Sequence, residues 1–272
     1  MYLLIVIPPL ALLTAALLPL QWLAVHLRLP LRRKIPVVYH RCVLRLLSVR
    51  VIVSGTPAAG RPLLIVSNHV SWLDIPVLGS IFPLVFVAKQ EVANWPLFGL
   101  FARLQRSVFV DRTRRHSTST VNAEIAARLA EGDPVVLFGE GTSSDGNRTL
   151  PFRSALIGAV EDAVQEATGK VAVQPVSIAY VRLDGLPMGR LLRPHVAWYG
   201  DMGMTSHLMA VLRRSAIDVM VSFGPVLTAE GEADRKATAR WAESAVRAMT
   251  SAALTGRTAP HTAAVPFLSE TR

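Results

Sequence analysis

From Met1 to Val25 the chain carries no charged side chain, and this run most narrows what the protein can become. About 20 apolar residues, at ~1.5 Å rise each, cross the hydrocarbon core of a bilayer. A secretory signal opens on a basic stretch, and this segment does not. Pro8, Pro9 and Pro19 interrupt it, which predicts a kinked span or a helical hairpin dipping into one leaflet. Trp22 stands where an interface anchor belongs. Arg28, Arg32, Arg33 and Lys34 follow at once, so the positive-inside rule puts the remainder in the cytoplasm. The expectation is a protein attached to the cytoplasmic face of the cell membrane; the plainer alternative is a buried core helix.

Composition sharpens this reading. Half the residues are hydrophobic (51%) and 18% are charged, which excludes a disordered chain. Cys42 is the single cysteine, so neither a disulfide framework nor a thiolate zinc site can form. No metal-ligand cluster is visible. The formal charge is +10, carried almost wholly by arginine, with Lys34, Lys89, Lys170 and Lys236 the only lysines. A basic chain that is also this apolar suits an anionic membrane surface. A nucleic-acid module explains the charge but not the N-terminus, and no aromatic-interleaved basic stripe appears.

Beyond an amphipathic helix at 34–48, short β-rich runs alternate with helical stretches. Strands are predicted at Val49–Val53, Leu63–Ser67, Leu84–Ala88, Ser107–Val110, Val135–Phe138, Val171–Ile178, Val196–Tyr199 and Val219–Phe223. Helices are predicted at 75–82, 94–103, 116–131, 152–168, 204–215 and 233–254. Runs such as LLIV and VVLF are apolar on both faces, as in buried parallel strands. The fold class is therefore α/β, a mostly parallel sheet flanked by helices. The organisation is an anchor with its basic helix (1–48), an α/β domain (49–254) and a loose tail (255–272). An apolar stripe, Met202, Met204, Leu208, Met209 and Leu212, reads as core packing first and as an acyl-chain surface second.

Two loops carry the chemistry. The first, Ser67-Asn68-His69-Val70-Ser71-Trp72-Leu73-Asp74-Ile75-Pro76, follows an apolar strand, where α/β sheets place their sites. On one regular helix His69 and Asp74 point about 140° apart. They meet only if the segment turns first and becomes helical near Asp74, with Pro76 in the first turn and Asp74 as its cap. A contact between them fixes the imidazole tautomer and prepares it to take a proton from a hydroxyl. The competing reading has Asp74 as a plain cap and His69 as a structural loop residue. The second loop, Phe138-Gly139-Glu140-Gly141-Thr142-Ser143-Ser144-Asp145-Gly146, has amides that can cradle an oxyanion, and Glu140 could bind a substrate hydroxyl. It has neither the G-x-S-x-G of a hydrolase nor the lysine of a P-loop.

Asn68-His69-x4-Asp74, Phe109-Val110-Asp111-Arg112, Phe138-Gly139-Glu140-Gly141-Thr142 and Val173-Gln174-Pro175-Val176 together resemble, in order and spacing, the four blocks of the glycerolipid (lysophospholipid) acyltransferase family. The resemblance covers roughly residues 50–225. It implies that His69 is the general base and Asp74 its orienting acid, with direct attack of the acceptor hydroxyl on an acyl thioester and no acyl-enzyme. It implies that Lys89, Arg112, Glu140, Gly141 and Thr142 bind the acceptor, with Arg112 on its anionic group. Asn68 and Pro175 fall in blocks that are structural or serve the acyl donor. The co-substrate is acyl-carrier protein or acyl-CoA, and no cofactor or metal is expected.

Two positions depart from the family pattern. Gly139 replaces the proline usual before Glu140, and Ser143 replaces the arginine usual after Thr142. That arginine helps neutralise a phosphate acceptor through a charge-assisted contact of about 1.5–3 kcal/mol. With Trp198-Tyr199-Gly200-Asp201-Met202, the altered loop looks like the branch that acylates lyso-ornithine lipid. Asp145 or Asp201 would pair the head-group amine and Arg112 its carboxylate. The competing acceptor is 1-acylglycerol 3-phosphate, with Arg112, Arg148 or Arg153 supplying charge. A non-catalytic membrane scaffold is the alternative of another kind.

Overall fold

The computed structural model describes residues 2–59, 62–110, 118–155, 157, 170–213, 216–230 and 235–257. Helices α1 (Tyr2–His26) and α2 (Leu31–Leu46) pack together as a hairpin. Strands β1 (Val49–Ser54) and β2 (Leu63–Ser67) follow, then α3 (Asp74–Gly79), β3 (Val85–Lys89), α4 (Phe98–Leu104) and β4 (Val108–Val110). Helix α5 (Thr118–Ala130) leads into β5 (Val135–Phe138). After it come β6 (Lys170–Leu183), β7 (Leu186–Pro187), α6 (Met204–Leu212), β8 (Ile217–Phe223), β9 (Leu227–Glu230) and α7 (Arg235–Leu254).

The main path of the sheet runs β1-β8-β6-β2-β5-β3-β4, with β7 and β9 paired to β6. Every pairing is parallel except the three that β6 makes with β7, β8 and β9. Successive strand residues face opposite layers. Leu63, Ile65, Val136 and Phe138 join the core under α1, α2, α3 and α6, while Leu64, Val66, Val135 and Leu137 join the one under α5 and α7. That two-sided burial is why these strands read as continuous apolar runs.

The α/β prediction holds, with local corrections. Val196–Tyr199 is irregular chain after a short 3-10 turn, Arg193–His195, not a strand. β7 and β9 were not expected, because each is short and pairs only with β6. β6 runs five residues past its predicted end, as an antiparallel partner of β8. The predicted helix at 152–168 lies mostly outside the described residues, as does the tail from 258 on.

The prolines of the N-terminal segment do not break it. α1 is one continuous helix, with Pro8, Pro9 and Pro19 inside it. Packing outweighs the missing amide bonds, since Val6, Leu10 and Leu13 sit on the core below the hairpin. Ile5–His26 is long and apolar enough to cross a membrane. The helix is also tied inward, because Gln21 Nε2 donates to Arg32 O and to Leu104 O at the end of α4. Two of the basic residues behind it have acidic partners: Arg32 pairs with Glu131 and Arg33 with Asp133, both shared with buried Arg106. Those two arginines therefore serve the hairpin's attachment to the α/β unit.

Candidate active site

The site assembles because two neighbouring strands end at the same level. Ser67 of β2 stands opposite Phe138 of β5 and Val176 of β6. The loops 68–73 and 139–146 therefore leave the sheet side by side at its carboxyl edge. Asn68 extends the ladder with its side chain: Nδ2 donates to Ile178 O at 2.9 Å, and Oδ1 accepts from Ile178 N at 2.8 Å. Its place is structural.

His69 and Asp74 are joined, Nδ1 to Oδ2, at 2.7 Å. The chain turns through Trp72-Leu73 and Asp74 opens α3, as the spacing required, but Asp74 is not the cap. Its Oδ2 reaches back to accept the amides of Val70 (2.7 Å) and Ser71 (3.0 Å), and Oδ1 accepts the Tyr180 hydroxyl at 2.8 Å. Four donors thus converge on one fully buried carboxyl group. Burial, and then the Asp74 charge, hold the Tyr180 phenol well above its usual pKa, so it stays a donor. The contact uses Nδ1, so Nε2 is the ring nitrogen not engaged by Asp74, on a half-buried ring. That ring stacks on Phe138 at 4.0 Å, and Phe138 on Phe86.

Glu140 has a different place from the one expected. Its carboxyl is buried and faces backbone, accepting from His69 N (3.3 Å) and Leu150 N (2.9 Å). Burial pushes its pKa up to about 8, opposed by those two amides and helped by the charges of Asp74 and Glu243. It fastens the two loops together, as do Ser144 N and Oγ on the carbonyl of His69. Gly139 also finds its reason. Its N–H, which a proline lacks, donates to Ser67 O at 2.8 Å, and an added Cβ would lie 2.7 Å from the Phe152 ring. Gly141 has φ +70°, a conformation that favours glycine.

A cavity of about 690 Å³ is lined by His69 and runs between the sheet and the α1–α2 hairpin. Lys89, Gly141, Thr142 and Ser143 line it with His69, as do Leu10, Leu17 and Leu18 of α1, Val43 of α2 and Leu47 just after it. Its walls are mostly aliphatic and aromatic. Gln21 also lines it, with an Oε1 that has no hydrogen-bond partner among the described residues. His40 belongs to the α2 wall, bonded to Gln105 Oε1 at 3.0 Å, and burial lowers its pKa to about 4. The reading of the stripe as core packing holds for Leu208, Met209 and Leu212, and Met204, Leu208 and Leu212 also line the cavity.

Other expected residues lie elsewhere. Arg112 falls outside the described residues. Pro175 is buried in β6 and does not line the cavity. It sits between the stretch paired with β9, which ends at Val173, and the stretch paired with β8, which begins at Val176, so its missing N–H breaks no ladder there. Asp145 bonds its own turn through Asn147, and Asp201 does not line the cavity; Glu91 is the acidic residue that does. Tyr180 as a partner of Asp74, the stacking of Phe138 on His69, and the Trp72–His207 hydrogen bond (3.0 Å) escaped the sequence reading. The one signal for Tyr180 was a phenol within a run of buried aliphatics.

Residues 49–179 match the family model described as Acyltransferase. A lyso-ornithine lipid O-acyltransferase of Brucella abortus (strain 2308) is 49% identical over 257 residues, 94% of this chain and 96% of that one. A 1-acyl-sn-glycerol-3-phosphate acyltransferase of Neisseria gonorrhoeae is 32% identical over 197 residues, 72% of each chain. Among solved structures, the 1-acyl-sn-glycerophosphate acyltransferase of Thermotoga maritima superposes with a TM-score of 0.56 at 22% identity, covering 80% of this chain and 78% of its own. This last likeness concerns the fold.

Proposed function

The chain belongs to the acyltransferase family and is an acyltransferase, and from that premise we propose that it esterifies the free hydroxyl of lyso-ornithine lipid at a membrane, drawing on acyl-carrier protein or acyl-CoA. The observation that carries this reading is the His69–Asp74 pair at the wall of an apolar cavity roofed by the N-terminal hairpin. In the proposed reaction His69 Nε2 takes the acceptor's hydroxyl proton as the oxygen attacks the thioester carbonyl. The carbonyl oxygen gains the charge, and the Gly141–Ser143 turn offers it the amides of Thr142 and Ser143, since Gly141 N already donates to Phe138 O at 3.1 Å. The C–S bond then breaks, and the thiolate leaves with the proton returned from His69. Asp74 keeps the ring oriented throughout. No side chain is acylated, and the rate gain rests on holding hydroxyl and thioester in line.

The choice of acceptor rests on the 49% identity with the Brucella protein and on Ser143, which lines the cavity where the family's phosphate-binding arginine is absent. The basic, apolar chain and the exposed face of α1 support membrane attachment. A membrane assay offering lyso-ornithine lipid and 1-acylglycerol 3-phosphate with one acyl donor tests the proposal. Preference for the amino-lipid is expected. Preference for the phosphate acceptor defeats that assignment and makes the chain a phosphatidate-forming enzyme. Ser143→Arg is expected to shift the ratio toward the phosphate acceptor.

A further inference from the structure

Leu97 is the oddest residue of the cavity lining. Its backbone stands at φ +62°, ψ −52°, and Phe98 N donates to Pro96 O at 2.7 Å across it. That is a γ-turn of the rare, strained hand, with a bulky residue where glycine is the usual occupant. The strain is not offset by burial, since Leu97 is 54% exposed and Leu100, one turn on, is 39% exposed. Yet Leu97 also lines the cavity, as does Trp95, which meets Trp198 edge to face at 5.9 Å.

The surroundings say what covers these side chains. α4 lies against the hairpin, through Gln21 to Leu104 O and through the Phe101–Tyr39 ring contact. The outer face of α1 beside it is apolar too, with Leu12, Leu20 and Leu23 all exposed. Exposed apolar side chains therefore stand on both α1 and the segment Leu97–Leu100, whose helix α4 touches α1. Tryptophans flank them as they flank hydrocarbon at a membrane interface, and Lys89 and Arg103 stand near enough in the chain to meet anionic head groups. Resting on the membrane reading above, we propose that Trp95–Leu100 is a lip that inserts into the bilayer and seats the cavity mouth on the lipid surface. Acceptors then enter sideways from the leaflet without crossing water. The γ-turn holds Leu97 outward, and hydrocarbon supplies the burial that the protein does not.

The test uses the full chain with Cys42→Ser and a single cysteine, Leu100→Cys, carrying an environment-sensitive fluorophore. Vesicles of zwitterionic and anionic phospholipid are prepared with and without doxyl-labelled acyl chains. A blue shift and quenching at position 100 are expected, with none from the same label at Ser251→Cys on α7, in the opposite layer. Protein that sediments with vesicles while position 100 stays unquenched, or quenches no more than position 251, overturns the lip and leaves the membrane reading standing. Protein that does not sediment overturns both. Leu97→Gly separates a structural role. Glycine takes the positive φ freely, so the melting temperature in detergent should hold or rise while KM for vesicle-borne acceptor rises three- to tenfold. A lower melting temperature with unchanged KM makes Leu97 a packing residue and overturns the proposal.

Discussion

Two imidazoles line the same cavity from different elements. His69, on the loop after β2, is bonded to a carboxyl group at 2.7 Å; His40, on α2, is bonded to the amide of Gln105 at 3.0 Å. Both bonds fix a ring, but only one partner can bear charge. A carboxylate stabilises the imidazolium that forms when a hydroxyl proton arrives. An amide oxygen does so weakly, and burial then dominates, holding His40 neutral with a pKa of about 4. In the proposed mechanism, what suits an imidazole to act as the base is its second partner, and closeness to the cavity is not enough.

Breaking the charged pair should give the largest effect. His69→Ala and Asp74→Asn are each expected to lower kcat by about 10²–10⁴, and the double variant should be scarcely worse, because the pair acts as a unit. Circular dichroism would confirm that the fold persists. Removing the third partner should cost less. Tyr180→Phe leaves Asp74 Oδ1 buried without its hydroxyl donor, with an expected loss of about 1–3 kcal/mol in denaturant midpoint experiments and a several-fold fall in kcat.

The comparison can also be read through pH. The raised carboxyl of Glu140 contributes stability that is fully present below about pH 4.5 and is lost as pH rises through about 8. Glu140→Gln should remove that decline from melting curves taken across the window. The depressed His40 works the other way: its contribution is present above pH 6.5 and lost as pH falls through about 4. Gln105→Glu gives His40 a carboxylate of its own, and an NMR titration should then find its pKa raised. Activity at position 40 is not expected to follow, since the glycine-rich turn lines the cavity beside His69. Recovery of turnover in the His69→Ala, Gln105→Glu double variant would refute the dependence on that turn.

Much of this was legible in the residues. The runs LLIV and VVLF announced buried parallel strands, and the five-residue step from His69 to Asp74 foretold a turn followed by a helix start. Other features were hidden for stated physical reasons. Tyr180 lies 106 residues from Asp74 in the chain, and only the register of β6 brings it to the carboxyl group. Glu140 looked like a substrate ligand because spacing reveals a carboxyl group's neighbourhood but not which way it turns; both oxygens found amides. The prolines of α1 looked like breakers because the helix interior alone penalises them, and the core beneath the hairpin was not visible in the segment itself.

By itself the sequence determined the local and periodic properties: an apolar helix at the N-terminus, the α/β alternation, and the loops that carry the histidine, the acid and the glycines. Those follow from side-chain chemistry repeated at fixed steps along the chain. The tertiary structure alone decided the partners. That Asp74 serves His69 and is not a cap, that Glu140 binds amides, and that the N-terminal hairpin walls the cavity all depend on strand register and layer packing, which bring together groups far apart in the chain.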